Sequence, residues 1–256
     1  MRDPHVQKLY YEVSSGEGIS YKDPEEVAFS NQLGAFNIRD GKLTVGPTEH
    51  FANEDEARQV IEPFLRAWEI ETDLNSNVGM IRFKFDRAEV IDRDPPPPGT
   101  SQVIEAKAGE MIMLGESVSF HLTCSKYPQP PIAFRTTPEV EIGYRRWIAF
   151  RAGKEPLQSM AYFVLTLLES VAGGRQEAAR IFYIDFPVLS TIGRLSSTKG
   201  DADTARKIPT GAVLQELSGS EKQWLEQAAR RLIYRLGERA SGVPLTRIRM
   251  SDLPTL

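Results

Sequence analysis

The sequence predicts an α+β fold, in which a β-rich N-terminal domain with one helix, residues 1–131, precedes a C-terminal bundle of four to five helices, residues 132–256. Two observations predict it. In the first half, apolar and charged residues alternate between turn signals, whereas in the second half apolar residues recur at spacings of three and four. The 256 residues, 41% of them hydrophobic and 26% charged, suffice for two globular domains.

The first predicted strands precede a clear turn signal. Residues 7–15 alternate roughly between apolar and polar side chains, as a strand does. Residues 33–45 consist of two apolar runs around Asp40-Gly41, a dipeptide that favours the positive φ angles of a tight hairpin turn. This region therefore predicts a β-hairpin.

One helix is predicted in the N-terminal half. Asn53 is a good N-cap, and apolar residues follow at helical spacing over residues 54–71. Pro63 is expected to kink or split this helix, because proline lacks the amide proton and its ring clashes with the preceding turn. The alternation of residues 78–91 then predicts another strand.

A proline run separates this strand from the last predicted strands. The four prolines at residues 95–98 indicate a stiff, extended spacer at the surface. Residues 101–108 and 110–124 predict two or three further strands, which complete the β-rich domain.

The second half has the apolar period of helices. Residues 139–153 and 156–174 predict two of them, and the second is apolar on nearly all sides, which is typical of a central, buried helix. Residues 174–197 predict a further helix with a bend at Pro187.

The last predicted helix has signals at both ends. It covers residues 217–242, with Ser218 and Glu221 in the pattern of a capping box and Gly242 as the stop. Arg231, Arg235 and Arg239 recur on it at four-residue spacing and are expected to share its exposed face.

Location and cofactors are constrained mostly by what the sequence lacks. Cys124 is the single cysteine and cannot form an intramolecular disulfide, which favours a reducing compartment, and no window has the composition of a leader or membrane span. We therefore expect a cytoplasmic protein. The three histidines, His5, His50 and His121, are far apart in the sequence and show no paired-ligand spacing, so neither a metal nor a cofactor is predicted.

A polar stretch at residues 196–207 is the first candidate binding site. It combines hydroxyls, a glycine and cations, which are the elements of non-specific phosphate recognition, although two aspartates within it offset part of the positive charge. It matches neither a Walker A loop, whose order of residues differs, nor a complete serine acyltransferase pattern. The alternative is a solvated connector.

Charge is divided unequally between the two halves. Residues 1–131 have a net charge of −9 and residues 132–256 a net charge of +5. This division indicates either a polyanion bound by the second half or attraction between the halves. If the polar stretch and the last helix converge, they form one basic surface for nucleic acid or an acidic protein; its predicted binding residues are Ser196, Thr198, Lys199, Arg206, Lys207, Arg231, Arg235 and Arg239.

The C-terminal layout, ending in the arginine-bearing helix "QAARRLIYRLGERASG", resembles the HEPN-type helical domains of bacterial defence and toxin systems over residues 140–242. That family implies RNA cleavage by an arginine and a histidine that follows it by a few residues, usually across a dimer. Here Arg230, Arg231 or Arg235 stands for the arginine, and no histidine follows. The resemblance therefore implies a non-catalytic member that binds or dimerises.

Three functions remain open at this point. The first is a non-catalytic binding protein, whose helical half supplies a cationic surface or a homodimer interface. The second is an enzyme, either a HEPN-like ribonuclease or another hydrolase built on paired carboxylates. Glu69, Glu71 and Asp73 are the acids first considered for that role. The third is a structural subunit of a larger assembly.

Overall fold

The structure, a computed structural model, describes residues 3–94, 122–199 and 215–256. The chain divides into two compact units, Met1–Pro131 and Ile132–Leu256, called the N-terminal and C-terminal units below. The described part of the first contains seven strands and one long helix, and that of the second contains five α-helices. The predicted α+β fold class is confirmed. The predicted strand at residues 101–108 and most of residues 110–124 lie outside the described part of the chain.

The N-terminal unit is built on a five-stranded antiparallel sheet. The order of its strands is β3 (Val27–Asn31), β4 (Gly34–Arg39), β5 (Lys42–Pro47), β1 (Pro4–Ser14) and β6 (Arg82–Asp92). The long strand β1 lies between β5 and β6 and pairs with both, and its residues Val6 and Leu9 are fully buried in the hydrophobic core. The other two strands in the described residues are β2 (Ile19–Glu25) and β7 (Leu122–Lys126).

The hairpin predicted around Asp40-Gly41 is confirmed. Arg39 pairs with Lys42 across the turn, and Asp40 and Gly41 have φ angles of 50° and 73°. Both residues thus have the positive φ that a two-residue turn between twisted strands requires.

Helix α1 (Glu54–Asn75) follows the sheet strands β1–β5 and continues through Pro63. Of the two outcomes expected at Pro63, a kink or a split, the split does not occur. Ile61 and Leu65, on either side of the proline, are buried, and their packing maintains the helix although one backbone hydrogen bond is lost. Asn53 caps the start as predicted, because its side chain accepts the Glu56 amide at 3.0 Å.

The core of the N-terminal unit lies between α1 and the sheet. Trp68 of α1 is fully buried, with its ring centroid 5.6 Å from that of Phe29 and 5.1 Å from that of Phe83. These two rings belong to the edge strands β3 and β6, so the two edges of the sheet approach each other at Trp68.

Strands β2 and β7 form a separate two-stranded sheet. They run parallel, with Ile19 opposite Leu122 and Tyr21 opposite Cys124. Tyr21 also packs against Tyr127, at 4.5 Å between ring centroids, and its hydroxyl donates to the Met80 carbonyl at 2.6 Å. This pair is therefore joined to the start of β6 by side-chain contacts.

The C-terminal unit is a helical bundle around α3 (Leu157–Ala172). Helix α3 contacts each of the other four α-helices in the described residues, and Val164, Leu165 and Leu168 on it are fully buried, so its predicted central position is confirmed. In the described residues, no helix is both long and apolar enough to span a membrane. The helices are α2 (Pro138–Arg151), α3 (Leu157–Ala172), α4 (Arg175–Ile181), α5 (Phe186–Thr198) and α6 (Gly219–Ser241).

The single bent helix predicted over residues 174–197 is two helices in the structure. Helix α4 ends at Ile181, and α5 begins at Phe186. Pro187 lies in the first turn of α5, where a proline is well accommodated, so the break comes before the proline rather than at it. Tyr183, in the break, has a φ of 54°, which interrupts the helical path.

Helix α6 has the predicted capping box. The Ser218 hydroxyl accepts the Glu221 amide at 3.2 Å, and the Glu221 carboxylate accepts the Ser218 amide at 2.9 Å. At Gly237 the helix backbone packs directly against the Phe134 ring. A Cβ atom at this position would lie only 2.1 Å from that ring. Only glycine fits at this position.

Candidate functional site

The polar stretch predicted to bind phosphate begins inside a helix. Ser196 and Thr198 lie in the last turn of α5. Ser196 is fully buried, and its hydroxyl donates to the Ile192 carbonyl at 2.6 Å; the Thr198 hydroxyl donates to the Arg194 carbonyl at 2.7 Å. The helix backbone therefore uses both hydroxyls. The prediction of an accessible loop at Ser196 is wrong.

Lys199 is paired with the start of α6. Its Nζ atom lies 2.6 and 2.8 Å from the two carboxylate oxygens of Glu221. Burial favours a higher pKa for Glu221, but the bonds from Lys199 and Ser218 outweigh it and lower the pKa. This lysine therefore supports the cap of α6. Arg206 and Lys207 lie outside the described residues.

Arg235 is buried, not exposed as predicted. Its side chain is 0% exposed, its Nη1 donates to the Phe182 carbonyl at 2.7 Å and its Nη2 to the Thr246 carbonyl at 2.6 Å. Its Nε donates to Glu238 at 2.8 Å. Burial lowers the pKa of Arg235, and the Glu238 carboxylate opposes that effect. This guanidinium therefore holds backbone and cannot meet a ligand at the surface.

Two arginines remain on the predicted face of α6. Arg231 is half-buried, lies 3.4 Å from Glu238 and places its guanidinium carbon 4.9 Å from the centre of the Tyr234 ring. Arg239 is exposed. Without Arg235, and with Arg231 next to a carboxylate, the charge of this face is smaller than the sequence indicates.

The carboxylates considered for catalysis hold backbone in the N-terminal unit. Glu69 accepts the Phe83 amide at 2.8 Å, and Asp73 accepts the Gly79 amide at 2.8 Å. Asp73 is fully buried, and Glu71 is half-buried. Glu69 and Asp73 thus fix the connection from α1 to β6, a structural role that their position at a helix end does not reveal.

The residues of the break between α4 and α5 line an exposed groove. Tyr183 and Phe186 are 42% and 45% exposed, and they are the only exposed aromatic side chains in the described part of the chain. We call this the Tyr183 groove. It has a volume of about 480 Å³, and its walls are Gln176, Ala179, Arg180, Tyr183, Ile184, Phe186 and Arg247.

The backbone of the Tyr183 groove is held from both sides. Tyr183 has a left-handed φ of 54°, an uncommon conformation for an aromatic residue, so the surrounding structure must fix it. The Ile248 amide donates to the Tyr183 carbonyl at 3.1 Å, and the Asp185 amide donates to the Ile248 carbonyl at 2.9 Å. Arg235 binds the carbonyl of Phe182, which directly precedes Tyr183.

Two arginines border the aromatic rings. Arg247 lies with its guanidinium carbon 4.4 Å from the centre of the Tyr183 ring and 3.0 Å, through Nη1, from Asp185. Arg180 donates to Glu177 at 2.6 Å. Hydrogen bonds to these carboxylates raise the pKa of both arginines, so both stay charged. The groove thus offers two accessible cations beside two exposed aromatic side chains, with Arg247 covering one face of the Tyr183 ring.

A second cleft, of about 290 Å³, lies between α1 and the sheet. It includes the Tyr11 hydroxyl, which is buried and has no hydrogen-bond partner among the described residues. Burial, with the Glu62 charge, raises the pKa of Tyr11, so this phenol stays protonated. The charged residues of the cleft form pairs, Arg58 with Glu62 and Arg66 with Glu69, and leave no net charge for a ligand.

Sequence analysis did not identify the Tyr183 groove, because a continuous helix was predicted across it. The signal lies in "FYIDFP", residues 182–187. An aspartate two residues before a proline is typical of a helix start, since the proline then occupies the first turn. That pattern would have separated two helices and left Tyr183 in the connection.

Comparisons with known proteins leave the fold and the site to be interpreted on physical grounds alone. No family model, curated protein or solved structure matches the chain.

Proposed function

We propose that this protein is a non-catalytic binding protein whose C-terminal unit holds single-stranded nucleic acid in the Tyr183 groove. The observation that supports this proposal best is the position of Tyr183 and Phe186. The only two exposed aromatic side chains of the described residues line one groove, together with Arg180 and Arg247.

Exposed rings beside guanidinium groups suit an unpaired nucleic acid strand. Every base has a π-face that stacks on an aromatic side chain, and stacking contributes about 1–3 kcal/mol per base. Guanidinium groups bind phosphate oxygens through charge-assisted hydrogen bonds. At about 480 Å³ the groove has the size of a small-ligand site, which is too small for a duplex.

The carboxylate partners of the two arginines permit such binding. Arg247 and Asp185 have 45% and 31% of their side chains exposed, and Arg180 and Glu177 have 72% and 49%. Ion pairs this exposed contribute little to stability, so a phosphate can replace the carboxylate at low cost. The neighbouring carboxylates also keep the affinity modest, because they repel phosphate.

Binding assays with labelled single strands and a duplex of the same sequence test the proposal. Fluorescence anisotropy at about 50 and 200 mM salt is expected to show binding of the single strand that weakens as salt rises. Tyr183→Ala and Phe186→Ala are each expected to weaken it about 5- to 150-fold, whereas Tyr183→Phe retains the ring and the affinity. Absence of single-strand binding at both salt concentrations contradicts the proposal.

A matched pair of arginine variants tests the cationic part. Arg247→Ala removes an exposed guanidinium, paired with Asp185, from the groove. It is expected to reduce the slope of log affinity against log salt by about 0.7. Arg39→Ala removes an exposed guanidinium, paired with Asp40, from the N-terminal unit and is expected to leave the slope unchanged. Equal effects of the two changes would exclude the groove as the site.

The ribonuclease alternative receives less support from the described residues. Arg235 uses its N–H groups on two carbonyls and a carboxylate, and Arg231 lies beside the same carboxylate. Incubation with mixed RNA, with and without magnesium, distinguishes the two functions. RNA cleavage that is lost in Arg231→Ala would favour the enzyme.

Location and assembly belong to the same proposal. The single cysteine, Cys124, is a free thiol, which is typical of a reducing compartment, so we propose a cytoplasmic protein. A homodimer through the C-terminal unit remains part of the proposal. The molar mass of the protein in solution, measured by light scattering, tests it directly.

A further inference from the structure

Two of the three histidines lie side by side in the N-terminal unit. The Nδ1 atoms of His5 and His50 are 3.0 Å apart, although 45 residues separate them in the sequence. Their rings are nearly parallel, at 7°, with centroids 5.0 Å apart. Because 3.0 Å is shorter than the contact distance of about 3.5 Å between stacked atoms, the rings meet edge to edge with their nitrogens facing each other.

The backbone fixes this pair. His5 belongs to β1, opposite Ile91 of β6, and His50 follows the end of β5. The Val6 amide donates to the Phe51 carbonyl at 2.9 Å, so the residues that directly follow the two histidines are hydrogen-bonded to each other. Small side-chain rotations then suffice to change how the rings meet, and the His50 side chain, 43% exposed, is open to ions from solution.

We propose that His5 and His50 together bind one divalent transition-metal ion of the class that imidazoles prefer, such as Zn²⁺, Ni²⁺ or Cu²⁺. With metal–nitrogen bonds of about 2.0–2.1 Å, two nitrogens on one ion lie about 2.9–3.4 Å apart, and the 3.0 Å separation falls in that range. Without metal, the two Nδ1 atoms are at hydrogen-bond distance, so one of them carries a proton. On metal binding that ring takes its other tautomer, with the proton on Nε2, and the rings turn so that both Nδ1 lone pairs converge on the ion. Water fills its other positions.

Nearby charges act on this pair in opposite directions. The Asp3 carboxylate lies 3.8 Å from Nε2 of His50, on the far side of the ring from Nδ1. This position favours the tautomer that carries its proton on Nε2 and leaves Nδ1 free to bind a metal. Arg93 also acts on His5, and its positive charge opposes a bound cation. In the described residues, no group of three or more candidate ligands converges, so the protein supplies two ligands and the affinity is modest.

Calorimetric titration of the full-length, chelator-stripped protein with Zn²⁺ tests this inference. We expect one ion per chain, with binding reduced by more than about tenfold in His5→Gln and in His50→Gln. The remaining histidine supplies the control, because His121→Gln removes an imidazole and is expected to leave binding unchanged. Cys124→Ser is likewise expected to bind Zn²⁺ as the unchanged protein does.

Three results would overturn the inference: no Zn²⁺ binding by the unchanged protein, undiminished binding in His5→Gln, or one ion shared by two chains that elute as a dimer. Because substitution of His5 could unfold β1, a measurement on the unchanged protein is also needed. Substoichiometric Cu²⁺ is expected to broaden the imidazole NMR signals of His5 and His50 before that of His121. Broadening of all three signals at the same Cu²⁺ concentration would contradict a site at this pair.

Discussion

The two units fix their irregular segments with buried charges of opposite sign. In the N-terminal unit, Glu69 and Asp73 accept hydrogen bonds from backbone amides beyond the end of α1. In the C-terminal unit, Arg235 of α6 donates hydrogen bonds to backbone carbonyls of two connecting segments. In both units a long helix thus holds a neighbouring piece of chain through a buried carboxylate or guanidinium side chain.

The difference follows from which backbone groups lack partners. The Gly79 and Phe83 amides, at the turn and at the start of β6, need an acceptor, which a carboxylate supplies. The carbonyls of Phe182 and Thr246, after α4 and in the C-terminal segment, need a donor, and the guanidinium reaches both. The sign of a buried charge therefore indicates the kind of backbone group that it satisfies.

Asp73 and Arg235 each form an ion pair, but the partner side chains differ in how exposed they are to solvent. Asp73 pairs with Arg82 at 2.5 Å, and the Arg82 side chain is 31% exposed. Arg235 pairs with Glu238 at 2.8 Å, and the Glu238 side chain is 17% exposed. A partner left in water loses less when its pair is removed. We therefore expect the protein to lose more stability when Arg235 is replaced than when Asp73 is replaced.

The largest expected effect is that of Arg235→Met. This change is expected to lower the free energy of unfolding by about 3–5 kcal/mol, because Glu238 and two carbonyls lose a buried donor. Urea unfolding followed by tryptophan fluorescence measures it. Arg239→Met, which removes an exposed guanidinium from the same helix, is expected to change stability by less than about 0.5 kcal/mol. Equal losses in the two variants would contradict a stabilising role for the buried contacts of Arg235.

Asp73→Asn is expected to cost less, about 1–3 kcal/mol. The amide oxygen still accepts the Gly79 hydrogen bond, and the Arg82 guanidinium regains water when the opposite charge is removed. The same urea titration measures the loss, with Asp86→Asn as a control, since its pair with Arg87 lies at the surface. A loss as large as that of Arg235→Met would show that counter-ion exposure does not decide the difference.

Removal of the N-cap side chains of α1 and α6 is expected to have the next largest effect on stability in the two units. Asn53→Ala at α1 and Ser218→Ala at α6 are each expected to cost about 1 kcal/mol, because each exposes an amide of the first helical turn. Hydrogen exchange followed by mass spectrometry locates the effect. We expect faster exchange at the start of the altered helix; exchange that changes equally at both helices would mean that the caps act globally.

The smallest effect is the pH dependence of the Lys199–Glu221 pair. Hydrogen bonds from Lys199 and Ser218 outweigh burial and lower the pKa of Glu221 below its ordinary value of 4.5. Its stabilisation is therefore present above that pH and is lost as the pH falls through the lowered pKa. Glu221→Gln is expected to destabilise the protein at about pH 7, by an amount that decreases as the pH is lowered below the ordinary pKa of 4.5, as thermal unfolding measures. A difference that stays constant as the pH falls would contradict an ionic contribution.

Local patterns in the sequence were sufficient for the fold class and several local elements, and insufficient for the break between α4 and α5 and for the candidate site. The hairpin at Asp40-Gly41 and the caps at Asn53 and Ser218 depend on neighbouring residues alone, and the structure has all three. The burial of Arg235 depends on carbonyls 53 and 11 residues away, so its helical spacing alone indicated an exposed residue. Charged side chains on a helix were interpreted as surface groups because their partners are distant in the sequence.

The parallel pairing of β2 with β7 has a consequence for the order in which the N-terminal unit assembles. Ile19 and Leu122 are neighbours in space but 103 residues apart in the chain, whereas each antiparallel neighbour from β3 to β5 follows the last within a short turn. Closing a long segment costs more chain entropy than closing a hairpin, and distant pairings slow folding. Of the strands in the described residues, β7 is therefore the last to dock, and its arrival completes the two-stranded sheet with β2 rather than the five-stranded sheet, four of whose strands lie within residues 4–47.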